Sequence, residues 1–123
     1  MKVAIIGCKK MMEMGCGGKE ACVSCFKNVN EKKGAFERYK DVKLIAFTNC
    51  GGCPGVRFKT RLNVLKDVVG AEAIHIASCS FNCPYLKFEE IAKEMMKELE
   101  IPIILGTHKI VKEVEGFVCS CKE

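Results

Sequence analysis

Four short apolar runs, rich in β-branched residues, constrain this chain more than any other feature. They occupy residues 2–7, 42–47, 73–77 and 101–105. Continuous runs of this length read as strands buried on both faces. The stretches between them carry helical periodicity. Cys22, Cys25, Phe26 and Val29 fall at i, i+3, i+4 and i+7, with Gly34 placed to end that helix. Phe58, Leu62, Leu65 and Val69 repeat the spacing and meet Gly70, while Phe88, Ile91, Ala92, Met95 and Leu99 repeat it before Pro102. The order β-α-β-α-β-α-β predicts a parallel sheet with right-handed crossovers. The fold expected is a three-layer α/β/α domain with a four- or five-stranded parallel sheet in a flavodoxin-like order. Residues 109–123 fit an edge strand, a short helix or a tail equally well.

With 123 residues and no linker or low-complexity tract, the chain reads as a single domain over residues 1–123. No segment approaches the ~18 uninterrupted apolar residues of a membrane span, and the apolar N-terminus is too short for a signal peptide. A soluble, cytoplasmic protein is expected. The net charge of +5 comes mostly from lysines spread among glutamates, and tryptophan is absent. A nucleic-acid binder would cluster its basic residues and interleave aromatics, so neither nucleic acid nor membrane is an expected partner. Glutamine is missing while Lys and Glu are abundant, a compositional lean towards a thermophile.

Ten cysteines then need an explanation. Disulfide staples suit small exported proteins, and this chain has core enough without them. In a reducing cytosol the same count points to metal ligands or thiol redox chemistry. In a parallel α/β sheet, ligands bind where the chain leaves the carboxyl ends of the strands. Cys8 follows the first run, Cys50 and Cys53 the second, Cys79 and Cys83 the third, and His108 the fourth. Six potential metal ligands thus leave one edge of the sheet, where neighbouring strands are ~4.8 Å apart.

The segment Cys50-Gly51-Gly52-Cys53-Pro54-Gly55 has chemistry of its own. Its glycines permit a tight turn that faces both sulfurs towards one point. Pro54 suits the first position of a helix, which would make Cys53 the N-cap and favour its thiolate, with Arg57 adding positive charge. Cys83-Pro84 repeats the arrangement. Cys22 and Cys25 read either as small buried hydrophobes on a helix stripe or as a CxxC ligand pair. Cys16 lies in a glycine-rich loop near Cys8, and Cys119 and Cys121 form a CxC near the end that could supply ligands or resolving thiols. His75 lies about 13 Å from Cys79 along an extended strand, which favours a hydrogen-bonded core histidine over a ligand. Phosphatase-type Cys-x5-Arg loops are excluded, since the sixth residue after Cys8 is Met14 and after Cys50 is Val56. No phosphate-binding P-loop or dinucleotide fingerprint is complete.

Taken in order, Cys8, Cys22 with Cys25, Gly34-Ala35-Phe36, the Cys50–Gly55 motif, His75 with Cys79, Cys83-Pro84 and Gly106-Thr107-His108 resemble the CGGC-domain family, small and mostly prokaryotic proteins. The resemblance covers nearly the whole chain. It implies metal binding, with zinc proposed, through Cys8, Cys50, Cys53, His75, Cys79, Cys83 and His108. On His75 it conflicts with the argument from reach. Cys119 and Cys121 have no counterpart in the family pattern.

Three functions compete. The first is a metal-binding protein holding a zinc ion or an iron–sulfur cluster, since ten cysteines exceed the needs of one tetrahedral zinc. The second is a thiol-disulfide oxidoreductase with Cys50 attacking and Cys53 resolving, which would work with a redox protein partner. The third is a binding module with structural cysteines. They rank in that order.

Overall fold

The computed structural model describes residues 1–9, 23–52, 55–82, 86–107 and 110–112. Strand β1 spans Lys2–Gly7, helix α1 Val23–Glu31, and a 3-10 helix Gly34–Arg38. Strand β2 (Lys43–Asn49), helix α2 (Phe58–Asp67) and strand β3 (Ala73–Ile76) follow. A second 3-10 helix (Ser78–Asn82) leads to helix α3 (Phe88–Leu99), strand β4 (Ile103–Gly106) and strand β5 (Ile110–Lys112). The expected α/β fold is present.

The strands lie in the order β2-β1-β3-β4-β5. Strands β1 to β4 pair in parallel, while β5 pairs antiparallel with β4. A flavodoxin-like sheet would carry a fifth strand parallel. The reason it is not parallel here is chain length. Three residues separate β4 from β5, enough for a hairpin and far short of the dozen or so that a parallel crossover requires. Of the segment left open in the sequence, residues 110–112 are this edge strand; residue 109 and residues 113–123 lie outside the described residues.

Side chains alternate between two cores, as the period of a strand dictates. Ala4 and Ile6 of β1 join Phe58, Leu62 and Phe88 beneath α2 and α3. Val3 and Ile5 join Val29, Phe36 and Tyr39 beneath α1 and the first 3-10 helix. Strands β1, β3 and β4 are buried on both faces, apart from Lys2 at the start of β1. Strand β2 departs from that expectation: Lys43 is exposed and the strand is half-buried from Leu44 to Asn49, because it forms the sheet's outer edge. Its pairing partner jumps from Leu44 to Ala46 between Val3 and Ala4, leaving Ile45 as an extra residue. Such a bulge bends an edge strand and discourages sheet-to-sheet pairing.

Three local expectations change. Helix α1 ends at Glu31 rather than at Gly34. Lys32 takes the left-handed conformation (φ 54°), and the Lys33 and Lys32 N–H groups return to the Asn28 and Val29 carbonyls. That pair of bonds is a Schellman motif built without glycine. Phe26 leaves the buried stripe; it is 46% exposed and stacks on Phe47 at 4.8 Å. Helix α2 is capped by Arg57 and α3 by Lys87. Cys53 and Cys83 therefore precede their helices by four residues and are not N-caps. The cause in the first elbow is Gly55, whose φ of +85° breaks helical geometry after Pro54. Four residues separate each cysteine from the first residue of its helix, beyond the first turn over which a helix dipole acts.

Candidate functional site

The rim begins where β1 runs out. The Gly7 carbonyl accepts the N–H of Cys50 at 2.8 Å, so the β1–β2 ladder continues one residue past the end of β2. The Ile6 carbonyl accepts from Ala77 at 2.9 Å, extending the β1–β3 ladder in the same direction. The next two amides of β1's exit are used between loops. Cys8 N–H donates to Ser80 Oγ at 2.8 Å, and Lys9 N–H donates to Cys50 Sγ at 3.4 Å. Three strand exits are thereby laced together, with Cys8 and Cys50 buried and Cys79 half-buried among them. The Cys50 sulfur is thereby held by a backbone N–H of the neighbouring strand exit.

The glycine turn after Cys50 has a clamp. Asn49 Oδ1 accepts the Gly51 N–H at 2.9 Å, an Asx turn. Arg61 Nη1, one turn into α2, donates to the Asn49 carbonyl at 2.9 Å and to Asn49 Oδ1 at 3.2 Å. Gly51 (φ +85°) and Gly52 (φ +109°) both occupy conformations that side chains avoid. A Cβ on Gly51 would stand 3.1 Å from Arg61 Nη2. The guanidinium thus rests directly on the turn that presents Cys50.

His75 lies inside the protein, short of the rim. Its Nδ1 is 2.9 Å from the Gly106 carbonyl and its Nε2 is 2.7 Å from the Tyr39 hydroxyl. Phe36 lies against the ring at 4.4 Å between centroids. Burial lowers its pKa to about 3, against the hydrogen bond to Gly106, with the Arg38 charge lowering it further. Both nitrogens are engaged, so the imidazole offers no lone pair to an ion in this arrangement.

Cys25 reaches the rim from above the sheet. Its Sγ lies 3.1 Å from the hydroxyl of Thr107, which follows β4. Thr107 in turn accepts from Ser78 N–H at 3.3 Å and donates its own N–H to Ser78 Oγ at 3.0 Å. The exits of β3 and β4 are tied by this exchange. Among the described residues, no three His, Cys, Asp or Glu side chains meet closely enough to hold one ion. Cys16, Cys22, Cys53, Cys83, His108, Cys119 and Cys121 lie outside the described residues.

Asn49, Arg61 and Ser80 are site residues that sequence reasoning passed over, and Thr107 entered it only as the middle of the Gly106-Thr107-His108 motif. Only Asn49 carried a legible signal, the Asn-x-Gly pattern of an Asx turn. The others join the site through contacts between distant segments.

These features define a cysteine-rich α/β domain in which Cys8, Cys50 and Cys79 each follow the end of a parallel strand. Residues 2–108 match the CGGC domain, and the chain belongs to that family, which points to a metal-binding role. It is 67% identical to the uncharacterised protein MJ0582 of Methanocaldococcus jannaschii, across 98% of this chain and 96% of that protein. A second uncharacterised protein of that organism, MJ0766, is 33% identical over 48% of this chain and 91% of its own length. No solved structure matches. Among the described residues no helix is long and apolar enough to cross a membrane.

Proposed function

We propose that this chain holds zinc or an iron–sulfur cluster through cysteine thiolates at the carboxyl rim of its sheet. The observation that carries the reading is the lacing of Cys8, Ser80, Lys9 and Cys50, which draws thiol-bearing exits of three strands together. The donor set fits the group: soft thiolates suit zinc and iron–sulfur clusters. Cys8, Cys50 and Cys79 are the described candidates, with Cys53, Cys83 and His108 as further ligands by their place in the chain. Bound there, zinc would brace the loops or polarise a water, and a cluster would carry an electron. The chain's own part is to hold the Cys50 turn under Arg61 and to donate the Lys9 N–H to the Cys50 sulfur. A cytoplasmic location keeps such thiols reduced, and a redox protein is the natural partner of a cluster.

Anaerobic purification followed by metal and sulfide analysis and a visible spectrum tests this reading. Stoichiometric zinc without colour, or iron with sulfide and broad absorption, supports it. Protein without metal that forms a Cys50–Cys53 disulfide overturns it in favour of the oxidoreductase. The 2% exposure of Cys50 weighs against that alternative, since an attacking thiolate must meet its partner.

A further inference from the structure

The outer edge of the sheet carries a cavity that the rim site does not use. It lies between β2 and α2, has a volume of about 330 Å³, and its walls include Ala46, Thr48, Arg61, Val64, Leu65 and Val69. Ala46 and Thr48 register with Ala4 and Ile6 of β1, so they stand on the face that α2 covers. Val64 and Val69 are 43% and 38% exposed, an apolar wall open to solvent. Mostly apolar walls with a few polar groups are the usual form of a small-ligand site.

Arg61 is the charged residue of that lining. Its Nη1 is spent on Asn49, at the carbonyl and at Oδ1. A Cβ built on Gly51 would lie 3.1, 3.2 and 3.4 Å from Nη2, Cζ and Nε. Such near-equal distances put Gly51 against the flat face of the guanidinium and leave its edge clear. Among the described residues, Nε and Nη2 donate to no acceptor and no carboxylate pairs with Arg61. Those two N–H groups lie side by side, the fork that takes both oxygens of a carboxylate.

We infer that this cavity binds a small carboxylate with an aliphatic body. The carboxylate meets the Nε–Nη2 edge of Arg61, and the body lies along Val64, Leu65 and Val69. Charge complementarity selects an anion, because a guanidinium stays charged at any physiological pH. The walls select a carboxylate over a phosphate. A phosphate calls for several donors around it, and the other polar side chain here is the single hydroxyl of Thr48. The apolar body then covers the two exposed valines, which gains free energy in proportion to the area removed from water. The inference goes beyond the rim reading and does not need metal there, since no thiol lines the cavity.

Hexanoate is the probe, titrated into the protein as purified and followed by the methyl resonances of Val64, Leu65 and Val69. Saturable shifts of these methyls are expected. Hexanamide has the body without the charge, and acetate the charge without the body. Each is expected to bind at least about tenfold more weakly than hexanoate. Val64→Glu sets a carboxylate three residues after Arg61, a helical spacing that lets it occupy the same fork. That variant is expected to abolish hexanoate binding, and the exposure of Val64 leaves the core intact. Absence of saturable shifts, equal affinity for hexanamide, acetate or inorganic phosphate, or an unaltered titration of Val64→Glu overturns the inference. Sedimentation showing a dimer that Val64→Glu disperses, with no response to hexanoate, overturns it in favour of a second copy of the chain on this face. Metal analysis of the same preparation keeps the two readings apart, because metal-free protein that binds hexanoate removes the rim reading alone.

Discussion

The phenol of Tyr39 donates a hydrogen bond to Nε2 of His75 across 2.7 Å, inside the core beneath α1. Its direction follows from the other end of the ring. Nδ1 lies 2.9 Å from the Gly106 carbonyl, which can only accept, so Nδ1 carries the proton and Nε2 must receive one. A single neutral tautomer therefore ties the end of the first 3-10 helix to β3 and β3 to β4. The tie stands directly beneath the Thr107 exchange at the rim.

Removing the donor should cost more than removing the pair. Tyr39→Phe leaves a buried nitrogen without a partner, and such a group costs about 1–3 kcal/mol. Urea denaturation should show a lower midpoint with an unchanged slope. A midpoint equal to the wild type's would mean the bond contributes nothing to the fold.

The same histidine sets a pH dependence. Unfolded, His75 takes a proton near 6.5; folded, burial keeps it neutral down to about 3. Between those values the unfolded state binds more protons, so this stability is whole above pH 6.5 and is lost as pH falls towards 3. The slope is about 1.4 kcal/mol per pH unit, or about 2 kcal/mol between pH 6.5 and pH 5. Urea midpoints at pH 7, 6 and 5 measure it. His75→Asn, which keeps a donor for Gly106 and does not titrate, should flatten the profile; an identical slope in both proteins would refute the assignment.

Why His75 was readable while Arg61 was not is a matter of range. The strand rise of a few ångströms per residue is local, so the distance from His75 to the rim could be judged from four intervening residues. The central strands β1, β3 and β4 were legible for a like reason, because burial on both faces leaves a continuous apolar run. Edges were not. Strand β2 is equally apolar in sequence, and only its place in the sheet exposes it. The two elbows misled because Cys-Pro resembles a helix start, yet Gly55 carries a positive φ that no sequence rule demanded. Thr107, Ser80 and Arg61 enter the site across 29, 72 and 12 residues of chain, beyond any local pattern.

Gly51 and Arg61 should fail together. An alanine at Gly51 is strained at φ +85° and its Cβ meets the guanidinium, whereas at Gly52 a Cβ meets nothing within 4 Å. Gly51→Ala should therefore destabilise by about 1–3 kcal/mol through backbone strain and lower metal retention by displacing Arg61. Gly52→Ala should show the strain with metal retention preserved. Thermal melts and metal content of the two variants distinguish these outcomes. Equal metal loss in both would remove Arg61 from the account of the turn.

Lys32 offers the opposite sign. It holds the left-handed C-terminal position of α1 at φ 54°, a conformation that costs a residue with a Cβ about 1–2 kcal/mol. Glycine avoids that cost but surrenders about 0.5–1 kcal/mol through its greater freedom when unfolded. The bond from Lys32 Nζ to the Lys40 carbonyl at 3.0 Å is exposed, so losing it subtracts little. Lys32→Gly is expected to stabilise the protein by about 0.5–1 kcal/mol, read as a higher urea midpoint with metal content unchanged. A lower midpoint would mean that the lysine side chain, and not the turn beneath it, is what holds the end of α1.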